Sequence, residues 1–125
     1  MTEAELQHTV RTVAELCGWR VMHVRRSIGK GNRWTTSTSV VGWPDLFMYH
    51  PRKGRLLACE LKVPPGRLTR EQHVVLGELA DAGAEVAVLV PDDVRELGAL
   101  LAPDGPRLTR TRVRTIVLPA GKVEL

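Results

Sequence analysis

The 125-residue chain is 43% hydrophobic and 26% charged, the size and composition of one globular domain, which excludes a disordered or fibrous architecture. Its net charge of +4 is modest but segregated: residues 19–70 hold eleven Lys/Arg against two acids, and residues 71–106 one Arg against eight acids. A basic block beside an acidic one predicts a polyanion-binding face with nucleic acid as partner. No apolar run is long enough for a membrane span and the start MTEAELQHTV lacks the shape of a signal peptide, so a cytosolic protein with no membrane partner is expected. Cys17 and Cys59 lie in apolar segments without a CxxC pair, which predicts free thiols and no zinc site.

Thr2 with Glu5 forms a capping-box pattern, and Leu6, Val10, Val13, Ala14 and Cys17 follow at helical spacing, predicting a first helix over residues 3–17. WRVMHV (19–24) reads as a strand, and the polar, glycine-containing stretch 25–41 as a loop. Residues 42–49 (GWPDLFMY) and 55–63 (RLLACELKV), separated by HPRKG, read as an antiparallel hairpin. Thr69 with Gln72 opens a second helix ending near Gly83, and EVAVLV (85–90) follows as a buried strand reached by a crossover. A short helix from Pro91 to about Leu101 comes next, and then an edge strand on which Arg110, Arg112 and Arg114 share one face. The expected fold is a single α/β domain with a mixed sheet in the order αβββαβ, its core over residues 2–90 and a helix and strand added over 91–125.

Within the basic block the only acids are Asp45 and Glu60, each set in an apolar strand. Buried carboxylates call for a cation. Glu60 and Lys62 are two residues apart and project from one face, and Asp45 begins the partner strand. Asp45, Glu60 and the Leu61 carbonyl form a hard oxygen set suited to Mg²⁺ or Mn²⁺, with Lys62 beside it to position a water. That is apparatus for hydrolysing a phosphodiester.

Pro44-Asp45 followed by Glu60-Leu61-Lys62 resembles the PD-(D/E)XK nuclease motif. The frame TEAELQ, GW, GWPDLF, ACELK, GRLT, EQ resembles the small phage-type members of the VRR-NUC (virus-type replication-repair nuclease) family. The resemblance covers about residues 2–90. It implies a restriction-endonuclease-like core, a divalent metal at Asp45 and Glu60, a catalytic Lys62, and a carboxylate from the first helix at or near the metal. Glu3 is the candidate for that carboxylate, because it shares the spacing of Leu6, Val10, Val13 and Cys17, whereas Glu5 is explained as the cap partner of Thr2. Gln7 shares the side of Glu3. Gln72 matches the family's glutamine on the second helix and is equally the capping-box partner of Thr69. The resemblance further implies a homodimer acting on branched DNA such as Holliday junctions, of phage or mobile-element character. The alternatives are a monomeric flap or nicking nuclease and a catalytically silent branched-DNA-binding module.

For DNA contact the sequence offers Arg25, Arg26, Ser27, Lys30 and Arg33 for phosphates, with Trp34 either stacking on a base or folded back on the domain. Arg110, Arg112 and Arg114 form a second phosphate surface, a dimer interface or a charged edge. Gly29-Lys30-Gly31 lacks the spacing of a nucleotide-binding P-loop, so no nucleotide cofactor is expected. His8, His23, His50 and His73 match no catalytic pattern, although His23 is placed to look into the cleft.

Overall fold

A computed structural model describes residues 1–24 and 39–108, together with the backbone of four short strands within 26–36 and 115–124. Helix α1 (Glu3–Leu16) starts at the expected capping box: Glu5 N–H donates to Thr2 Oγ1 and Thr2 N–H donates to Glu5 Oε1, each at 3.1 Å. It ends at Gly18, whose φ of +94° reverses the chain. A Cβ at Gly18 would lie 2.8 Å from His50 Nε2, and that nitrogen is 2.9 Å from the Cys17 carbonyl. His50 thus occupies the end of the helix, and only glycine leaves it room.

The central sheet has four strands: β1 (Arg20–His23), β4 (Leu46–His50), β5 (Arg55–Leu61) and β6 (Glu85–Leu89), in spatial order β1-β4-β5-β6. The first three are antiparallel and β6 runs parallel to β5, reached through helix α2 (Arg70–Asp81). This is the expected αβββαβ order. The two faces of the sheet have separate cores, as period-2 alternation requires. Leu46, Met48, Leu57, Cys59, Leu61, Ala87 and Leu89 pack with Leu6, Val10 and Ala14 of α1 and with Leu97 and Leu101. Ala58, Val86 and Val88 pack with Leu76 of α2, with Phe47, Leu68 and Leu79 around them. Each large side chain so buried contributes roughly 1.5–3 kcal/mol. Cys59 is a buried free thiol, and desolvation, helped by the charge of Glu60, pushes its pKa far up, so it is inert. Cys17 is free and half-buried.

One end of the sheet is tied by ion pairing. Arg55 opens β5 and Glu85 opens β6, and both are buried. The guanidinium donates to both Glu85 oxygens, at 2.8 and 2.6 Å, and to the carbonyls of Ala102 and Pro103, at 2.9 and 3.2 Å. Glu85 also accepts from the Leu108 N–H at 2.6 Å. Arg55 lies 5.0 Å from the Trp19 ring centroid, and the indole N–H donates to the Leu101 carbonyl at 2.8 Å. The bidentate partner holds the Arg55 pKa above its ordinary value.

Four expectations are corrected. The stretch 25–41 is not all loop: β2 (Arg26–Ile28) pairs antiparallel with β3 (Trp34–Thr36) as a small sheet of its own. It has no apolar alternation to announce it, because a two-stranded ladder needs only backbone partners. The strand expected over 42–49 begins at Leu46, because Gly42, at φ +91°, turns the chain ahead of it. The strand expected over 55–63 ends at Leu61, ahead of the Pro64-Pro65 pair. Beyond the 3-10 helix Pro91–Glu96 and the one-turn α3 (Leu97–Leu100), the C-terminal addition contains an antiparallel hairpin of β7 (Thr115–Leu118) and β8 (Gly121–Glu124). The expected strand around Arg110, Arg112 and Arg114 lies outside the described residues.

Candidate active site

At the end of the sheet opposite Arg55 and Glu85, β4 begins and β5 finishes. The register pairs Leu46 with Cys59, so one further step sets Asp45 opposite Glu60, on the face that carries Phe47 and Ala58. Antiparallel opposites share a face, so the two carboxylates are neighbours on the α2 side of the sheet. Asp45 Oδ2 accepts from the Leu61 N–H at 2.9 Å, and the Asp45 carbonyl accepts from Val24 N–H at 3.2 Å. The aspartate therefore clasps the ends of β1 and β5 around its own position. Leu61 itself is buried in the core on the α1 side.

Glu60 has no exposed surface. Its Oε1 accepts from Gln72 Nε2 at 3.1 Å and lies 4.0 Å from Lys62 Nζ. Lys62 continues past the strand, where its N–H donates to the Leu89 carbonyl at 3.0 Å, and its side chain is only 12% exposed. A lysine held this deep at a strand end points toward the carboxylate instead of into solvent.

Gln72 resolves both of its expected roles at once. Its N–H donates to Thr69 Oγ1 at 3.1 Å and its Oε1 accepts from Thr69 N–H at 2.9 Å, completing the capping box of α2. The other half of the same amide donates to Glu60. A glutamate at this position would cap equally well but has no donor to offer. The amide thus ties the start of α2 to the carboxylate on β5.

The loop before Asp45 is pressed onto the same helix end. A Cβ at Gly42 would lie 2.4 Å from the backbone carbon of Glu71 and 2.7 Å from the Gln72 nitrogen. Trp43 N–H donates to the Val40 carbonyl at 3.2 Å, and the Trp43 ring stacks on Phe47 with centroids 5.5 Å apart. Gly42 is thereby a positioning residue outside the expected set. The only signals for it were a glycine two residues before Pro-Asp and the GW pair.

Asp45, Glu60, Leu61, Lys62 and Gln72 thus come together at the strand ends. Glu3 is exposed at the first turn of α1, ahead of the buried stripe that starts at Leu6. Helix α1 packs on the other face of the sheet, and its first turn offers a carboxylate solvent and the helix dipole. Glu5 is occupied as cap partner of Thr2, which holds its pKa below the ordinary carboxylate value. Gln7 and His23 are half-buried. Among the described residues no three His, Cys, Asp or Glu side chains form a metal-holding group; Asp45 and Glu60 stand as a pair. Two adjacent carboxylates offer the hard oxygen donors that Mg²⁺ or Mn²⁺ takes, and the pair fits such an ion with its remaining ligands drawn from backbone, solvent or substrate. The side chains of Arg25, Arg26, Ser27, Lys30, Arg33, Trp34, Arg110, Arg112 and Arg114 lie outside the described residues.

The mixed four-stranded sheet with a helix on each face, and an acidic pair with a lysine at the strand ends, has the form of a restriction-endonuclease-like α+β core. The VRR-NUC domain model matches residues 5–91, and the chain belongs to the VRR-NUC family. The match takes in Asp45, Glu60, Lys62 and Gln72 and begins after Glu3. No curated protein and no solved structure matches the chain. No helix among the described residues is long and apolar enough to cross a membrane.

Proposed function

We propose that the domain is an endonuclease that hydrolyses DNA phosphodiester bonds with Mg²⁺ or Mn²⁺, acting on branched DNA as a homodimer in the cytosol of a bacterial host, with phage or mobile-element character. The observation that carries the reading is the juxtaposition of Asp45, Glu60 and Lys62 at one end of the sheet within a nuclease-family domain. Asp45, Glu60 and the Leu61 carbonyl would hold the ion, with Glu3 of the first helix at or near it. A divalent ion there supplies positive charge that offsets charge developing on the scissile phosphate and acidifies a water. Lys62 orients the attacking water from beside Glu60, and Gln72 keeps the Glu60 carboxylate aimed at the strand ends. The basic residues of 25–33 and 110–114 grip the phosphate backbone, so binding weakens with salt.

The test is cleavage of four-way junction, flap, single-stranded and linear duplex DNA with Mg²⁺, Mn²⁺ or EDTA, with Glu60→Gln alongside. Metal-dependent symmetric cuts in the junction that vanish in the variant support the reading. Cuts confined to flaps replace it with a monomeric flap nuclease. Tight binding without cleavage of any substrate replaces it with a binding module.

A further inference from the structure

Between Leu61 and Glu71 the chain carries Lys62, Arg67 and Arg70 and no acid. Lys62 is turned in beside Glu60, but Arg67 and Arg70 are both exposed. Neither takes part in an ion pair among the described residues, whereas Lys53, Arg55 and Arg107 at the other end of the sheet each have a carboxylate at 3.4 Å or less. The helix does not account for Arg70 either. It stands at the first position of α2, where the helix dipole disfavours a cation. Two exposed arginines without a carboxylate, one of them against the local preference, fit a ligand that brings its own negative charge.

The backbone that carries them is fixed to the acidic pair. Gly66 N–H donates to the Val63 carbonyl at 2.8 Å, and this folds the chain back so that a Cβ at Gly66 would lie 3.9 Å from Lys62 Cδ. Arg67 is the next residue. Leu68, between the arginines and their cap, packs into the core on the α2 side of the sheet. Thr69 and Gln72 exchange the two bonds of the capping box, and the Gln72 amide reaches Glu60 at 3.1 Å. Arg70 precedes Gln72 by two residues, about 3 Å along the helix axis. Both arginines therefore sit on the β5 side of the acidic pair, and β1, whose end is marked by the Val24 N–H on the Asp45 carbonyl, lies on the opposite side.

We propose that Arg67 and Arg70 bind backbone phosphates of the cleaved strand on one side of the scissile phosphate. This rests on the nuclease reading and adds a polarity to it: the strand is held from the β5 side by a preformed loop and helix start. Each DNA strand presents a phosphate about every 3.4 Å of helix axis, so two cations in succession suit successive phosphates. Fixing the phosphates beside the one that reacts holds that bond over Asp45 and Glu60 and restricts its motion before the chemical step.

The test uses the full chain with Arg67→Ala, Arg70→Ala, the double variant and the two Arg→Lys variants, on four-way junction and flap DNA. The wild-type cut is mapped with Mg²⁺. Neutral methylphosphonates then replace, one at a time, the phosphates on either side of it, and affinity is measured in EDTA. Wild type should lose about fivefold in affinity at a position on one side of the cut, and the double variant should lose nothing further there, a coupling absent on the other side. The salt dependence should become shallower by about 0.9 in log–log slope for each contact removed. The Lys variants should keep most of the affinity, and thermal melting should be unchanged throughout, because both side chains are exposed. Wild-type affinity in the double variant, or an equal further loss at every position, overturns the proposal while cleavage by the wild type leaves the nuclease reading standing. A wild type that cuts neither DNA overturns both.

Discussion

Glu85 and Glu60 are both buried carboxylates on the adjacent parallel strands β6 and β5, yet their surroundings differ in kind. Glu85 is gripped by both arms of the Arg55 guanidinium at 2.8 Å or less and by the Leu108 N–H, a rigid fork matched to a rigid acceptor. Glu60 has a neutral amide at 3.1 Å and a flexible ammonium at 4.0 Å. The first arrangement is closed around its charge and anchors the C-terminal segment to the sheet. The second leaves the negative charge of Glu60 next to that of Asp45 at the strand ends, where a divalent cation fits. Burial of an acid is common to both, and the reach and geometry of its cation differ.

The same chemical change should therefore have opposite results at the two ends. Glu60→Gln is expected to lower metal-dependent cleavage by about 10³-fold, roughly 4 kcal/mol of barrier, while thermal unfolding shows stability unchanged within about 1 kcal/mol, because a buried charge is relieved as a contact is lost. Glu85→Gln should lower stability by about 3–5 kcal/mol through an uncompensated Arg55, read by urea unfolding. A Glu60→Gln protein that unfolds as readily as Glu85→Gln would erase the contrast.

Gln72→Glu sharpens it. The substitution keeps the cap on Thr69 and sets a second carboxylate against Glu60, so kcat should fall about 10–100-fold, equivalent to about 1.4–2.8 kcal/mol. Helix content by circular dichroism should stay unchanged. Gln72→Ala should in addition lose about 1 kcal/mol of stability with the cap. Gly42→Ala drives a Cβ into the Glu71–Gln72 backbone and should cost about 1–3 kcal/mol, with cleavage falling further than stability because Asp45 follows in the same loop.

The smallest effect lies just past the end of β6, outside both carboxylate sites. Asp93 accepts from the Val90 N–H at 2.8 Å, but burial, the largest influence, raises its pKa. A carboxyl with a raised folded pKa favours folding fully while protonated and loses that contribution as pH rises through the folded value. Asp93→Asn keeps an acceptor without the charge, so it should stabilise the protein at neutral pH by no more than about 0.5 kcal/mol after solvent screening. That gain should vanish on acidification below the ordinary carboxylate range, as thermal melts across pH would show.

Both capping boxes, the crossover to β6 and the pairing of β4 with β5 were legible in the sequence, because caps, 3.6- and 2-residue periods and turn residues act over a few neighbours. Asp45, Glu60 and Lys62 were legible too, since acids inside apolar strands of a basic block stand out without any structure. The hairpin β2–β3 was not, because its pairing needs no hydrophobic alternation. The exposure of Glu3 was not legible either, because a helical spacing gives the stripe a residue follows but not where the helix end meets solvent.

Local sequence therefore determined the elements and marked out the two carboxylates set in apolar strands, through interactions that span a turn of helix or a step of strand. Only the tertiary structure decided that Gln72 serves Thr69 and Glu60 at once, that Gly42 must be bare to meet α2, and that Arg55 closes on Glu85 across 30 residues. Those contacts join segments distant in the chain, and their geometry exists only once the sheet register and the packing of helices on its two faces have been set.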